Sequence, residues 1–335
     1  MKDTKTSAPE RGGTTTYLEA IRQGLWEEME RDERVFLLGE DIGVYGGAFK
    51  VTDGFVGRFG EGRVIDTPIS EGAIVGASVG AAMMGLRPVA EMQFIDFISC
   101  GFDMLTNVAA KNRYRWGMGV PIVVRGPAGA GVRGGPFHSL SAESYFTHTA
   151  GLKFVAPATA YDAKGLIKAA IRDDDPVIFQ EHKYLYRRIK EDLPAEEFVV
   201  PLGSARIHRE GSDLSILTYG AMVHTAAEAA EALAGDGVEV EIVDLRTLVP
   251  LDEDTILRSV AKTGYAIVLH EAPRTGGFGA EIAATIAEKA FEYLEAPIVR
   301  VTAPDTPVPY SPPLEDFYVP GKDDVLEVAK KLLAY

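Results

Sequence analysis

The sequence predicts an α/β protein made of two successive, mainly parallel-sheet domains. Three observations carry that expectation. Short apolar runs that read as buried strands alternate with longer segments that read as helices, from residue 16 to the C-terminus. The alternation stops in a charged, proline-containing stretch at residues 188–203 and then restarts. A chain of 335 residues also suits two domains at roughly 150 residues each. The expected division is a tail over 1–13, a first domain over 14–187, a linker over 188–203 and a second domain over 204–335.

Residues 1–13 are polar, lack the apolar core of a secretory signal and read as a disordered tail. A helix is expected from about Thr16, with Leu18, Ile21, Leu25 and Met29 on one face. Val35-Phe36-Leu37-Leu38 is a short buried strand leading into Gly39-Glu40-Asp41-Ile42-Gly43. Polar residues just past a strand end are where open parallel sheets keep their sites, and a solvated turn explains them equally well.

Asp66-Thr67-Pro68-Ile69-Ser70-Glu71 comes next, ahead of a helix with no charge from 73 to 84. Pro68 disfavours helix before it, and Ser70 can cap the helix that begins after it. Glycines at 72, 76 and 80 give one face almost no side chains, so another backbone can approach closely. Glu71, at the head of so apolar a helix, is placed to carry a proton at neutral pH. An ordinary first-turn glutamate favoured by the helix dipole is the plainer alternative.

A strand over 87–92 leads to Gln93-Phe94-Ile95-Asp96-Phe97 and one long helix reaching about Trp116. Phe94 and Phe97 suit core packing or a flat heteroaromatic ligand. A strand at 121–125 opens into a glycine-rich loop over 126–139, whose spacing matches neither a phosphate loop nor a dinucleotide fingerprint. His138 closes that loop, directly before a helix expected to start at 139–141. It is the best-placed histidine for proton transfer, with a loop or capping role as the alternative. The first domain ends with a strand at 154–156, a helix at 161–172 and a strand at 177–180.

The second domain offers strands at 214–218, 238–243, 266–270 and 298–301. Helices are expected around 225–233, 253–261, 280–293 and 323–333. Gly235-Asp236-Gly237 imitates the start of a magnesium–diphosphate motif, but the only asparagines, Asn107 and Asn112, precede it. It reads as a turn.

The net charge of −15 argues against a nucleic-acid backbone as partner. A single cysteine, Cys100, excludes an intrachain disulfide and a cysteine metal cluster. The apolar run at 73–84 is too short to span a bilayer, so a cytoplasmic enzyme without a membrane partner is expected.

Gly39-Glu40-Asp41, the 66–71 stretch, Glu71-x4-Gly76-x3-Gly80, Glu91-x-Gln93-Phe94, His138-Ser139 and Thr275-Gly276-Gly277-Phe278 together form a pattern. It resembles the β subunit of thiamine-diphosphate-dependent 2-oxo acid dehydrogenases, over essentially the whole chain after the tail. The resemblance implies a transketolase-like pyrimidine-binding domain followed by a transketolase C-terminal-like domain. It implies an α2β2 heterotetramer in which the α subunit holds most of the diphosphate and Mg2+, with acyl transfer to the lipoyl groups of an acyltransferase core. Glu71 would then be the acid at the pyrimidine N1′, Phe97 the aromatic packed on that ring, and Ile69 and Gln93 its neighbours. His138 would serve acyl transfer. The family often reads His-Ser-Gln, and Leu140 stands in the third place here.

Some relatives bind K+, which the resemblance maps to Val120, Ile122, Val123, Ala170, Asp173 and Asp175; a solvated acidic helix end also fits the last of these. For substrate, residues 66–71 look pyruvate-like. Gln93, Phe94 and Lys183-Tyr184-Leu185-Tyr186-Arg187 look like branched-chain relatives. An acetoin dehydrogenase β subunit, a transketolase-type half-enzyme using Arg133 for phosphate, and a non-catalytic assembly module are the alternatives.

Overall fold

The computed structural model describes residues 8, 9 and 12–335, so most of the tail expected over 1–13 lies outside the described residues. The chain divides into two compact units. One comprises the chain up to Ala128 together with Tyr145–Leu202; the other comprises Gly129–Ser144 and Gly203–Tyr335. Among the described residues, no helix is long and apolar enough to cross a membrane.

In the first unit, β1 (Gly13–Thr16) leads straight into α1 (Tyr17–Arg31). A capping box fixes that start: Thr16 Oγ1 accepts the Glu19 N–H, and the Glu19 carboxylate accepts the Thr16 N–H, each at 3.2 Å. Leu18, Ile21, Leu25 and Met29 are buried as the periodicity requires. β2 (Val35–Gly39), α2 (Phe55–Phe59), β3 (Val64–Asp66), α3 (Glu71–Met83) and β4 (Arg87–Glu91) follow.

The helix expected to run unbroken to Trp116 is instead three pieces. A 3₁₀ stretch at Ile95–Gly101 is followed by a π-helical stretch at Met104–Ala109 and by α4 (Ala110–Trp116). Gly101 presses so closely on α3 that a Cβ there would lie 2.6 Å from Val75 Cγ2. The hydrogen-bond ladder changes pitch beside that contact.

β5 (Val123–Ala128), α5 (Glu143–Thr147), β6 (Lys153–Val155), α6 (Ala160–Arg172), β7 (Val177–His182) and β8 (Lys190–Leu193) complete the sequence of elements up to 202. Gly24 lets α1 lie against α6, since a Cβ there would meet Ile167 Cγ2 at 2.5 Å. β8 falls in the stretch expected as linker and pairs antiparallel with β1. The main sheet runs β6-β7-β5-β4-β2-β3, every neighbouring pair parallel. Chain order reverses at β2, which has β3 on one side and β4 on the other. The crevice at the carboxyl ends of these strands is therefore a topological switch point, the usual ligand position in open α/β sheets.

The second unit contains β9 (Arg206–Arg209), β10 (Leu214–Thr218), α7 (Met222–Gly235), β11 (Val240–Asp244), β12 (Thr247–Val249), α8 (Glu253–Thr263) and β13 (Ala266–Pro273). It ends with α9 (Gly279–Lys289), β14 (Val299–Ala303), α10 (Pro312–Tyr318) and α11 (Lys322–Leu333). Its sheet runs β14-β13-β10-β11-β9, parallel except for the β9 edge. Asp236 caps α7 and Gly237 turns with φ +82°, so the GDG triplet is a helix-to-strand turn. The helix expected directly after His138 starts only at Glu143; Gly129 N–H donates to the Leu140 carbonyl at 3.2 Å and holds that stretch in a closed loop.

Candidate active site

The switch point of the first sheet gathers most of the residues singled out in the sequence. β2 stands between β3 and β4, with Gly39 opposite both Asp66 and Glu91. Glycine is required there, because a Cβ on Gly39 would lie 2.8 Å from the Glu91 carbonyl oxygen. Glu40 follows β2, residues 67–71 follow β3, and Gln93 and Phe97 follow β4. The loop after β2 is fixed by Asp66, whose carboxylate accepts the Gly43 N–H at 2.6 Å. Gln93 Nε2 donates to Asp41 Oδ2 at 3.3 Å, which ties the β2 and β4 ends together.

Two acids face each other across this edge. Glu40 is buried, and its Oε1 has no hydrogen-bond partner. Burial raises its carboxyl above the usual range, and the nearby charge of Glu71 pushes the same way against the backbone N–H of Ser70. Asp41 is exposed, as a solvated turn would have it, whereas the burial of Glu40 does not fit that reading. Glu71 opens α3 and is half-buried, and its carboxylate accepts no hydrogen bond from the described residues. Ser70 is the N-cap residue, but its side chain makes no capping bond. Its backbone does the work instead: the N–H goes to Glu40, and the carbonyl accepts the N–H groups of Ala73 and Ile74 at 2.9 and 3.0 Å. Close backbone approach along the glycine face occurs at Gly72, where a Cβ would meet the Cys100 carbonyl at 3.1 Å; Gly80 faces open space.

Phe97 is half-buried and packs edge-on against Phe94 at 6.3 Å, and Phe94 packs edge-on against Phe49 at 5.6 Å. Ile69 is 82% exposed, an unusual state for an isoleucine between a proline and a helix start. The edge thus offers acids, an amide and an aromatic face, a donor set that suits an aminopyrimidine.

Beneath the edge lies an ion cluster whose centre, Arg125 with Glu181, the sequence reading did not single out. β5 runs between β7 and β4, and its Arg125 donates to Glu181 Oε1 at 2.5 Å and Oε2 at 2.7 Å, and to Glu91. Tyr186 Oη donates to Glu181 Oε2 at 2.6 Å. Burial opposes the Arg125 charge, and the two glutamates more than offset it. Burial also raises the Glu91 carboxyl, with Arg125 working against that and Glu181 reinforcing it. The available signal was a charged residue, Glu91, Arg125 and Glu181, within each of three strands that start the ladder with apolar residues.

His138 lies in the other unit, half-buried, directly after a 3₁₀ turn at Gly135–Phe137. Of the residues mapped to K+, the two acids are already neutralised. Lys153 holds Asp173 at 2.6 Å, and Arg113 holds Asp175 at 2.5 Å. The carbonyls of Val120 and Ile122 accept the N–H groups of Ile122 and Val177 at 2.8 and 2.9 Å.

Comparison with known proteins agrees with the two-domain fold. Residues 14–188 match the transketolase pyrimidine-binding domain and residues 203–325 the transketolase C-terminal domain. The 2-oxoisovalerate dehydrogenase subunit beta of Bacillus subtilis (strain 168) is 49% identical over 95% of this chain and 98% of its own. The pyruvate dehydrogenase E1 component subunit beta of the same strain is 47% identical over 96% and 99%. Its counterpart in Staphylococcus aureus (strain COL) is 45% identical over the same shares. Among solved structures, a split-gene transketolase described as an inactive β4 tetramer superposes with a TM-score of 0.79 at 22% identity, covering 95% of this chain and 98% of that one. That likeness speaks for the fold alone. Two transketolase-type domains in this order, with near-full-length matches to pyruvate and branched-chain enzymes alike, place the chain in the family of β subunits of the decarboxylating component of 2-oxo acid dehydrogenase complexes.

Proposed function

We propose that this chain supplies the pyrimidine half of a thiamine-diphosphate site and is active only with an α subunit that holds the diphosphate and Mg2+. The observation that carries the reading is the switch-point edge, where Glu40 and Glu71 lie together with an unpaired buried oxygen and a half-exposed aromatic beside them. The cofactor, when bound, supplies the electron sink for decarboxylation of a 2-oxo acid. Glu71 holds or releases a proton at its carboxylate toward the pyrimidine N1′. Glu40 lies beside it with its carboxyl raised above the usual range, by burial first and then by the charge of Glu71. Phe97 offers its ring to the pyrimidine face, and Ile69 and Gln93 border it.

His138 serves the later transfer of the acyl group to a lipoyl arm on an acyltransferase core. An α partner in an α2β2 heterotetramer is supported by large apolar side chains left open to water: Ile69 at 82%, Met84 at 84% and Tyr114 at 97%. A K+ site at Val120, Ile122, Val123, Ala170, Asp173 and Asp175 finds less support, since the two acids hold Lys153 and Arg113 and the carbonyls of Val120, Ile122 and Ala170 already accept backbone N–H groups. A sugar-phosphate substrate finds less support, since Arg133 is engaged by Glu315 and Asp316.

The test is reconstitution. The chain mixed with an α-type subunit, thiamine diphosphate and Mg2+ should oxidise pyruvate or branched 2-oxo acids with an artificial electron acceptor. Activity of the isolated chain would overturn the shared-site reading, and a panel that includes acetoin assigns the substrate. His138→Ala should impair lipoyl acylation more than artificial-acceptor activity.

A further inference from the structure

The second sheet has a switch point of its own, between β10 and β13, and the chain fills it with residues 129–144. Tyr219, just past β10, donates its hydroxyl to Glu143 Oε1 at 2.7 Å. Glu271, on β13, accepts the Ala130 N–H at 2.5 Å. Glu315, from α10 and fully buried, accepts the Gly131 N–H at 3.0 Å and the Arg133 N–H at 3.1 Å through one oxygen. Its other oxygen takes the Arg133 guanidinium at 2.5 Å, while Asp316 takes the same guanidinium at 2.8 Å.

The backbone is shaped for these carboxylates. Gly129, Gly131, Arg133 and Gly135 all lie in the left-handed region, at φ +85°, +84°, +63° and +67°. Such alternation turns N–H groups inward to form an anion-binding concavity. Arg133 adopts it without being glycine, held from both its N–H and its side chain by one acid. At Gly135 a Cβ would lie 2.2 Å from the Tyr310 ring, so the chain is clamped there as well. His138 comes three residues later, and the Gly129 N–H bond to the Leu140 carbonyl closes the loop beyond it.

We propose that Glu315 and Glu271 are positioning residues for His138: they fix the approach arm of its loop, so the C-terminal unit sets the aim of the acyl-transfer histidine. This rests on the reading of His138 given above. Glu315→Gln, assembled with an α-type subunit, thiamine diphosphate and Mg2+, keeps an acceptor oxygen but loses the one of the two charges on Arg133 that also holds the loop's N–H groups. Acylation of a lipoyl domain should fall about ten- to a hundredfold in kcat, the scale of a misplaced catalytic group. Artificial-acceptor oxidation should fall by far less.

Combined with His138→Ala, Glu315→Gln should add no further loss of acylation. Equal losses in both assays, or losses that multiply in the double variant, would overturn the inference. If His138→Ala itself lowers both assays equally, the acyl-transfer reading falls and this inference with it. A selective His138→Ala beside an unselective Glu315→Gln sinks the positioning role alone. Should Glu315→Gln fail to assemble, Gly135→Ala disturbs the same arm while leaving both carboxylates in place, and it is read by the same split.

Discussion

In the first unit the ends of β2 and β3 lead to Glu40 and Glu71, acids with little to bind inside the chain. In the second, the ends of β10 and β13 lead to Tyr219 and Glu271, both already engaged by residues 129–144. The two sheets share an open parallel architecture and each has a switch-point crevice. At one crevice the acid Glu40 keeps a buried oxygen unpaired; at the other the acids Glu271 and Glu143 take an N–H and an O–H group of the chain itself. An unsatisfied buried carboxylate oxygen costs stability, and a ligand that donates to it removes that cost. On the function proposed above, the contrast is between a crevice that takes an external ligand and one occupied by the chain itself.

Four measurements put that contrast at risk. Glu71→Gln should lower the overall rate by about 10²–10⁴, the range of a lost general acid–base group, while leaving the unfolding midpoint unchanged. A loss of stability without loss of rate would make Glu71 structural. Arg125→Met strands the buried carboxylates of Glu91 and Glu181, and it should cost about 3–5 kcal/mol in urea unfolding. A smaller cost would mean that the support beneath the open edge is looser than the ion cluster implies.

His270 probes the filled crevice. It is fully buried and stacks on Tyr219 at 6.2 Å, and its pKa is lowered to about 4, first by burial and then by the charge of Arg300. The unfolded chain takes up this proton near pH 6.5 and the folded chain only near pH 4. Stability is therefore full above pH 6.5 and falls as pH drops through that window, by about 3 kcal/mol for this group. His270→Phe should flatten that part of a pH-dependent unfolding curve, and an unchanged slope would remove His270 from the account. Thr16→Ala, remote from both crevices, should cost only about 1 kcal/mol and leave the rate alone.

How much of the fold and site the sequence made legible depends on the range of the interactions. The Thr16 cap, the buried strands and the α1 face depend on residues a few positions apart, and they stand where periodicity put them. The switch-point edge was legible because polar residues just past apolar strands are a local sign. Glu40 could not be told from a solvated turn, since its burial depends on α3 and the Ser70 N–H. The unbroken helix over 97–116 was misjudged because apolar spacing does not distinguish α from 3₁₀ or π pitch. The allegiance of residues 129–144 was hidden for a stronger reason. A glycine-rich loop has no periodicity, and its partners Glu271 and Glu315 lie 141 and 184 positions away from Ala130 and Gly131.

That allegiance bears on how the gene can be cut and recombined. The natural breakpoint in the chain, near residue 203, is not a breakpoint in space, because residues 129–144 lie upstream of it yet fold downstream. A chimera joined there would inherit a crevice from one parent and its plug from another. Grafts that carry residues 129–144 along with the C-terminal half should fold, and those that split them should not.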